Sequence, residues 1–171
     1  MHAIHTMERP VAPHSEVQVA YFDGQKRTIY TTDEETHFPD GCLITSRTDL
    51  DGIITHANNA FVILSGWERE ELLGQPHSIL RHPDIPAAAF ADLWQTIKRG
   101  EKWRGYVKNL RKDGGFYWVY ATVIPNIRKG EIVGYTSVRR KPSRQKVEEA
   151  EKLYAPYAQP NWQTLNKKDN A

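Results

Sequence analysis

The feature that most constrains the fold is a series of three strand-like runs in the second half of the chain. They are WRGYVKNLR (103–111), FYWVYATVIPNI (116–127) and EIVGYTSVRR (131–140), each rich in the β-branched and aromatic residues that favour strands. The sequences KDGG and RKG separate them, and both have the composition of tight hairpin turns. The segment therefore predicts a three-stranded antiparallel meander.

Shorter elements precede this meander. The run LITSRTDLDGIITHAN (43–58) predicts two more strands around a turn at Asp51 and Gly52. Two short helical pieces follow, with Gly66 and Gly74 as their stop signals.

A longer helix is predicted to end at Gly100. Asp84 is a candidate cap for it, and Pro86 suits its first turn. Its apolar residues fall on one face: Phe90, Leu93, Trp94 and Ile97. The order of elements predicts an α+β fold in which short helices cover one face of a five-stranded antiparallel sheet.

We expect the chain to divide into an N-terminal extension (1–40), a central domain (41–141) and a C-terminal helix with a tail (142–171). The extension is predicted to be a flexible arm followed by a hairpin that turns at Asp23-Gly24. Ser143 is the predicted cap of the C-terminal helix.

Composition limits the functional classes. The chain has 171 residues, enough for one domain with one core. A formal charge of +2 argues against a general nucleic-acid surface. The mean hydropathy of −0.65, with no long apolar run, argues against a membrane span. A single cysteine, Cys42, excludes an internal disulfide, so we expect a cytoplasmic protein.

The stretch ILRHPDIPAAAFADLW (79–94) places Arg81, His82 and Asp84 directly before the longer helix. On the residues alone, the segment is either a solvated loop whose aspartate caps the helix or the polar rim of a binding pocket. Aromatic residues are also abundant around it, although each is compatible with ordinary core packing: Phe90, Trp94, Trp103, Phe116, Tyr117, Trp118 and Tyr120.

Two asparagines are further candidates. Asn109 lies inside a predicted strand, where asparagine is disfavoured and therefore suggests a specific role. Asn58 lies at a strand-to-helix junction, where a local helix cap is an equally good interpretation. We interpret His56 and His77 as residues that make structural hydrogen bonds.

Enzymatic chemistry has little support in the sequence. It contains no glycine-rich phosphate loop, no histidine and cysteine set with metal-ligand spacing, and no combination of nucleophile and base. We therefore expect no enzyme activity and no metal site.

Several motifs together resemble a PAS domain, and more narrowly the flavin-binding PAS domain of bacterial aerotaxis receptors. They are THAN, GQPH, RHPDIPAAAFADLW, WxGxVKNxRKxGxxYWV and GYxSxR, all within residues 43–140. The resemblance implies a PAS fold, non-covalently bound FAD, and redox-linked or oxygen-linked signalling without substrate turnover. It also implies a homodimer and a downstream signalling partner.

The resemblance implies a set of cofactor-binding residues. Arg81, His82 and Asp84 match the pattern on which flavin retention depends in the family, and Trp103 matches a tryptophan next to the flavin. In this interpretation Arg81 donates to phosphate or ribityl oxygens, and Asn58 or Asn109 responds to the redox state of the ring. The remaining candidates for the pocket wall are Phe90, Trp94 and Tyr117.

Other interpretations remain open. Haem is possible through His77 or His82, although the longer helix contains no histidine. A ligand-free dimerisation module is a further alternative. Light-driven cysteine adduct chemistry is excluded, because Cys42 lies at the start of the first central strand. Aerotaxis receptors continue into a membrane anchor, whereas this chain ends about thirty residues after the last predicted strand, so we expect an excised sensor or a free-standing protein.

Overall fold

The computed structural model describes residues 5–21, 25–157 and 164–165. The strands are β1 (Ser15–Tyr21), β2 (Lys26–Thr31), β3 (Ile44–Thr48), β4 (Ile54–Ala57), β5 (Trp103–Leu110), β6 (Phe116–Arg128), β7 (Glu131–Arg140) and β8 (Thr164–Leu165). The α-helices are α1 (Asn59–Ser65), α2 (Arg69–Leu72), α3 (Ala87–Lys98) and α4 (Arg144–Tyr154). Short 3-10 turns cover His77–Leu80 and Ala155–Tyr157.

The central sheet has five antiparallel strands in the order β4-β3-β7-β6-β5, which confirms the predicted fold class. The β6–β7 connection is a two-residue turn, and both Lys129 (φ 51°) and Gly130 (φ 78°) adopt positive φ. Turns of this kind match the twist of the strands that they join. The β3–β7 pairing, in which Ile44 lies opposite Arg139, joins the two halves of the sheet.

Helix α3 lies over one face of this sheet. Its apolar side chains Phe90, Leu93, Trp94 and Ile97 line the space between helix and sheet, as the sequence predicts. The predicted cap is wrong, because the helix begins at Ala87 with Pro86 in the cap position and no side-chain cap. The carboxylate of Asp84 instead binds the ammonium of Lys108 at 2.7 Å.

The N-terminal segment packs against the central domain. Strands β1 and β2 pair antiparallel, and the predicted turn at Asp23 and Gly24 lies outside the described residues. Strand β8 adds to β1 in parallel and completes a second, three-stranded sheet. Although we expected a flexible arm, Met7 is buried in the same core cluster as Phe61 and Trp67. The division into three parts remains a prediction.

Helix α4 packs on the opposite side of the central sheet. Ser143 caps it by accepting the N–H of Lys146 at 3.2 Å, as the sequence predicts. Val147 and Ala150 are buried in one cluster with Trp118. Within the described residues, no helix is long and apolar enough to cross a membrane.

Candidate ligand-binding site

A cavity lies between the central sheet and the helices that cover it. It contains about 830 Å³ of space outside the protein atoms, including the part that opens to solvent. Helix α3 and strand β6 supply most of its apolar wall, with Phe90, Leu93, Trp94, Ile97, Val119, Ala121 and Val123. Polar side chains enter from the 3-10 turn and from strands β3, β5 and β7: Thr48, His77, Ser78, Arg81, Asn109, Ser137 and Arg139.

Five of the nine predicted site residues line this cavity: Arg81, Phe90, Trp94, Trp103 and Asn109. Arg81 and Asn109 come together because the segment before α3 runs along the edge strand β5 and forms an antiparallel bridge between these two residues. The guanidinium of Arg81 also lies 4.1 Å from the centroid of the Phe90 ring, a cation–π contact. The assignment of these residues to a cofactor remains a prediction.

Trp103 begins β5 and forms part of the cavity wall with only 7% of its surface exposed. Its indole Nε1 donates a hydrogen bond to Oδ2 of Asp92 at 2.9 Å, which fixes the ring relative to α3. Gly105 makes this position possible, since a Cβ atom there would lie 2.3 Å from the Trp103 ring. The close approach explains a glycine inside a strand.

Asn109 and Tyr117 lie opposite each other on β5 and β6 and are both buried. Burial raises the pKa of Tyr117, and Arg139 and the Asn109 amide oppose the shift. The Tyr117 hydroxyl and Asn109 Nδ2 nevertheless do not meet with hydrogen-bond geometry, and neither has another partner among the described residues. Tyr117 does not line the cavity, whereas the amide of Asn109 does.

His82 and Asp84 lie beside the cavity, at the edge of the sheet. Nδ1 of His82 accepts the backbone N–H of Asp84 at 3.0 Å, so the proton of the neutral ring is on Nε2. Burial lowers the pKa of His82 to about 3, and the charge of Lys108 acts in the same direction. Neither predicted residue is part of the cavity lining, because the chain turns directly after Arg81, with the N–H of Ile85 donating to the carbonyl of His82, and the Asp84 carboxylate contacts Lys108 instead.

Asn58 serves as the N-cap of α1. Its Oδ1 accepts the N–H of Phe61 at 3.1 Å, and its Nδ2 donates to the carbonyl of Leu43 at 2.8 Å. Both amide atoms are thus used locally, which agrees with the helix-cap interpretation, and Asn58 does not line the cavity.

The predicted set of flavin-binding residues did not include two basic residues of the cavity, His77 and Arg139. His77 lies in the 3-10 turn, and its Nε2 is 3.4 Å from Oγ of Ser46. Burial lowers the pKa of His77 to about 3, with a further contribution from the charge of Arg139. Arg139 points inward from β7 in phase with Tyr135 and Ser137, and this alternation was a signal available in the sequence.

Comparison with known proteins identifies the family. Residues 27–140 match the PAS fold family. The chain belongs to the PAS family. Among solved structures, a light-oxygen-voltage domain studied with a flavin analogue superposes on this PAS domain with a TM-score of 0.59 at 25% identity, covering 64% of this chain and 84% of that one.

Two curated relatives are similar to the PAS domain in sequence. The aerotaxis receptor of Escherichia coli (strain K12) is 49% identical over 125 residues, which is 73% of this chain and 25% of the receptor. The nitrogen fixation regulatory protein of Klebsiella pneumoniae is 33% identical over 96 residues, which is 56% of this chain and 19% of that protein. The chain therefore spans about a quarter of the length of these relatives, or less.

Proposed function

We propose that this PAS domain is a non-enzymatic redox sensor that binds FAD non-covalently and acts in aerotaxis or related signal transduction. The observation that carries the proposal is the convergence of Arg81, Trp103 and Asn109 on one mainly apolar cavity. Arg81 comes from the segment before α3, whereas Trp103 and Asn109 come from β5. The resemblance to aerotaxis receptors links Arg81 and Trp103 to flavin. The identity of 49% to an aerotaxis receptor supports the same type of signal, and the similarity to a domain studied with a flavin analogue supports a flavin cofactor.

The cavity suits the flat ring system of a flavin. It lies between the sheet and α3, and its lining is mainly apolar with a few polar side chains, which is the usual composition of a small-molecule site. Aromatic side chains from α3 and β5 form much of the wall, as expected for a site that holds an apolar ring. Arg81 is a fork-shaped donor for the ribityl or phosphate oxygens of FAD.

Asn109 is the best-supported contact to the polar edge of the ring. Its Nδ2 is buried and has no partner among the described residues, whereas buried polar groups are normally hydrogen-bonded. An amide both donates and accepts, so it suits a ring edge that carries a carbonyl oxygen and a nitrogen. A ligand atom at this position would satisfy the amide.

The same amide offers a route for the signal. The flavin ring contains a nitrogen that accepts a hydrogen bond when oxidised and donates one after it is protonated on reduction, so a neighbouring amide must exchange a donor role for an acceptor role. Asn109 lies in the edge strand β5 and bridges to Arg81, so its reorientation would act on the strand and on the segment before α3. Reduction can shift the conformational equilibrium only by as much as the two protein conformations differ in their preference for reduced over oxidised flavin.

The proposal includes a cytoplasmic homodimer that contacts a downstream signalling protein. Leu153 and Tyr157, at the C-terminal end of α4 and just after it, are exposed apolar side chains that a protein interface would bury. Light scattering during gel filtration tests the homodimer directly, and a monomeric mass at micromolar concentration would contradict it.

The first experiment is an absorption spectrum of the purified protein, followed by heat release and chromatography of the cofactor. We expect a yellow protein that releases FAD, loses its visible bands with dithionite and recovers them in air. A Soret band would favour haem instead. A colourless protein that also fails to bind added FAD would favour a ligand-free dimerisation module.

A further inference from the structure

Arg139 is a buried cation that has no acidic partner among the described residues. It extends from β7 into the cavity wall, and only 2% of its surface is exposed. Nη2 donates to Oγ of Ser46 at 2.5 Å, and the guanidinium carbon lies 4.4 Å from the centroid of the Phe61 ring. Nε and Nη1 are buried and have no hydrogen-bond partner within the described part of the chain.

The surroundings of Arg139 leave its charge unbalanced. Burial lowers the pKa of Arg139 to about 10, so it stays protonated at neutral pH. His77 is neutral there because its pKa is about 3, and burial raises the pKa values of Tyr117 and Tyr135, which are neutral as well. Arg81 adds a second positive charge to the same cavity.

The cavity is therefore positively charged. Among the described residues, neither aspartate nor glutamate belongs to its lining. A buried charge that is neither paired nor fully hydrogen-bonded is strongly destabilising, so such a group indicates that its partner is a ligand. The partner of Arg139 should carry, or acquire, negative charge.

We propose that Arg139 sets the redox potential of the bound flavin by pairing its guanidinium with the negative charge that reduction leaves on the ring. This inference rests on the proposed function. In the proposed couple, the oxidised ring takes up two electrons from a reductant and one proton from solvent, and the second proton is not taken up. The positive charge lowers the pKa of that second proton and stabilises the reduced anion relative to the neutral oxidised ring.

The test measures the midpoint potential of the FAD-loaded protein against pH, with dithionite as reductant, in the wild type, Arg139→Gln and Arg139→Lys. Loss of the charge in Arg139→Gln should weaken the binding of reduced FAD relative to oxidised FAD by at least tenfold. For a two-electron couple, this corresponds to a fall of about 30 mV in the midpoint potential. Arg139→Lys retains the charge, so its midpoint potential should be closer to that of the wild type.

The matched control is Arg140→Gln. Arg140 is the next residue of β7 but is exposed, so its replacement removes the same charge from the chain without removing it from the cavity. Solvent screens an exposed charge, and we therefore expect the control to keep the wild-type potential.

The pH dependence of the wild type is a second measurement that needs no variant. At neutral pH, the slope of the wild-type midpoint potential against pH should correspond to the uptake of one proton for two electrons. In Arg139→Gln this slope should approach two protons for two electrons. A two-proton slope in the wild type would refute the proposal even if Arg139→Gln failed to fold. Equal potentials in Arg139→Gln and Arg140→Gln would also refute it, whereas a wild-type protein that binds no FAD would refute the proposed function itself.

Discussion

Gly105→Ala is predicted to displace Trp103 from the cavity wall. The new Cβ would lie 2.3 Å from Cη2 and 2.5 Å from Cζ2 of the indole, distances at which the two groups cannot coexist. The φ angle of Gly105 is not positive, so the backbone itself accepts alanine. The ring must therefore move, and its hydrogen bond to Asp92 is lost as it does.

The expected cost follows from two terms. Overpacking of a well-packed site costs about 1–3 kcal/mol, and loss of a hydrogen bond to a charged group costs roughly 1.5–3 kcal/mol. Because Trp103 can relieve part of the clash by rotating, we expect Gly105→Ala to lower the free energy of unfolding by about 2–4 kcal/mol. Urea unfolding followed by far-ultraviolet circular dichroism measures this value.

Trp103→Phe provides the control background. Phenylalanine lacks the distal ring atoms that meet the new Cβ, so Gly105→Ala should be nearly neutral there or stabilise the protein by about 0.4–1 kcal/mol through a less flexible unfolded chain. The double-mutant cycle should thus give a large coupling energy. If Gly105→Ala destabilises both backgrounds equally, or neither, the proposed steric role of Gly105 is wrong.

Three further predictions follow from the site. In the folded protein the pKa values of His77 and His82 are about 3, against an ordinary value of 6.5. The unfolded chain therefore binds more protons than the folded protein between pH 3 and 6.5, so the free energy of unfolding falls as the pH decreases below 6.5. Each histidine contributes at most about 1.4 kcal/mol per pH unit to this dependence. His77→Gln should therefore reduce the change in the free energy of unfolding between pH 7 and 5, measured by urea titration. An unchanged pH dependence would contradict a neutral, buried His77. Asn58→Ala removes the N-cap of α1 and should lower the free energy of unfolding by about 1 kcal/mol, while Asn58→Asp, which keeps an acceptor, should lose less. Asn109→Asp should abolish the difference in limited proteolysis between oxidised and reduced protein, and a difference that persists with FAD still bound would exclude the Asn109 route for the signal.

Local patterns predicted much of the candidate site. The aromatic residues of α3 were recognisable because their helical spacing places them on one face. Asn109 stood out because an amide is unusual inside a strand. Arg139 was missed because the alternation along β7 groups it with Tyr135 and Ser137 but does not show which face of the strand is inside, and that is visible only after β7 pairs with both β3 and β6.

The positions of His82, Asp84 and Asn58 depended on context in the same way. The sequence placed all three at element boundaries, where local and ligand-binding roles use the same side-chain atoms. In the fold, Asn58 uses its amide for α1 and the strand before it, while Asp84 binds Lys108 on the edge strand. Which role a boundary residue takes depends on the neighbours that tertiary packing brings near it.

The sequence by itself determined the five strands of the central sheet, the turns that join β5 to β6 and β6 to β7, the α-helices and the α+β class of this PAS domain. These features depend on side-chain periodicity and turn chemistry within a few residues of the chain. Only the tertiary structure decided the pairing of β3 with β7, the burial of Met7 in the central core and the inward position of Arg139. These features depend on contacts between residues distant in the chain, and no local pattern specifies which distant surfaces meet.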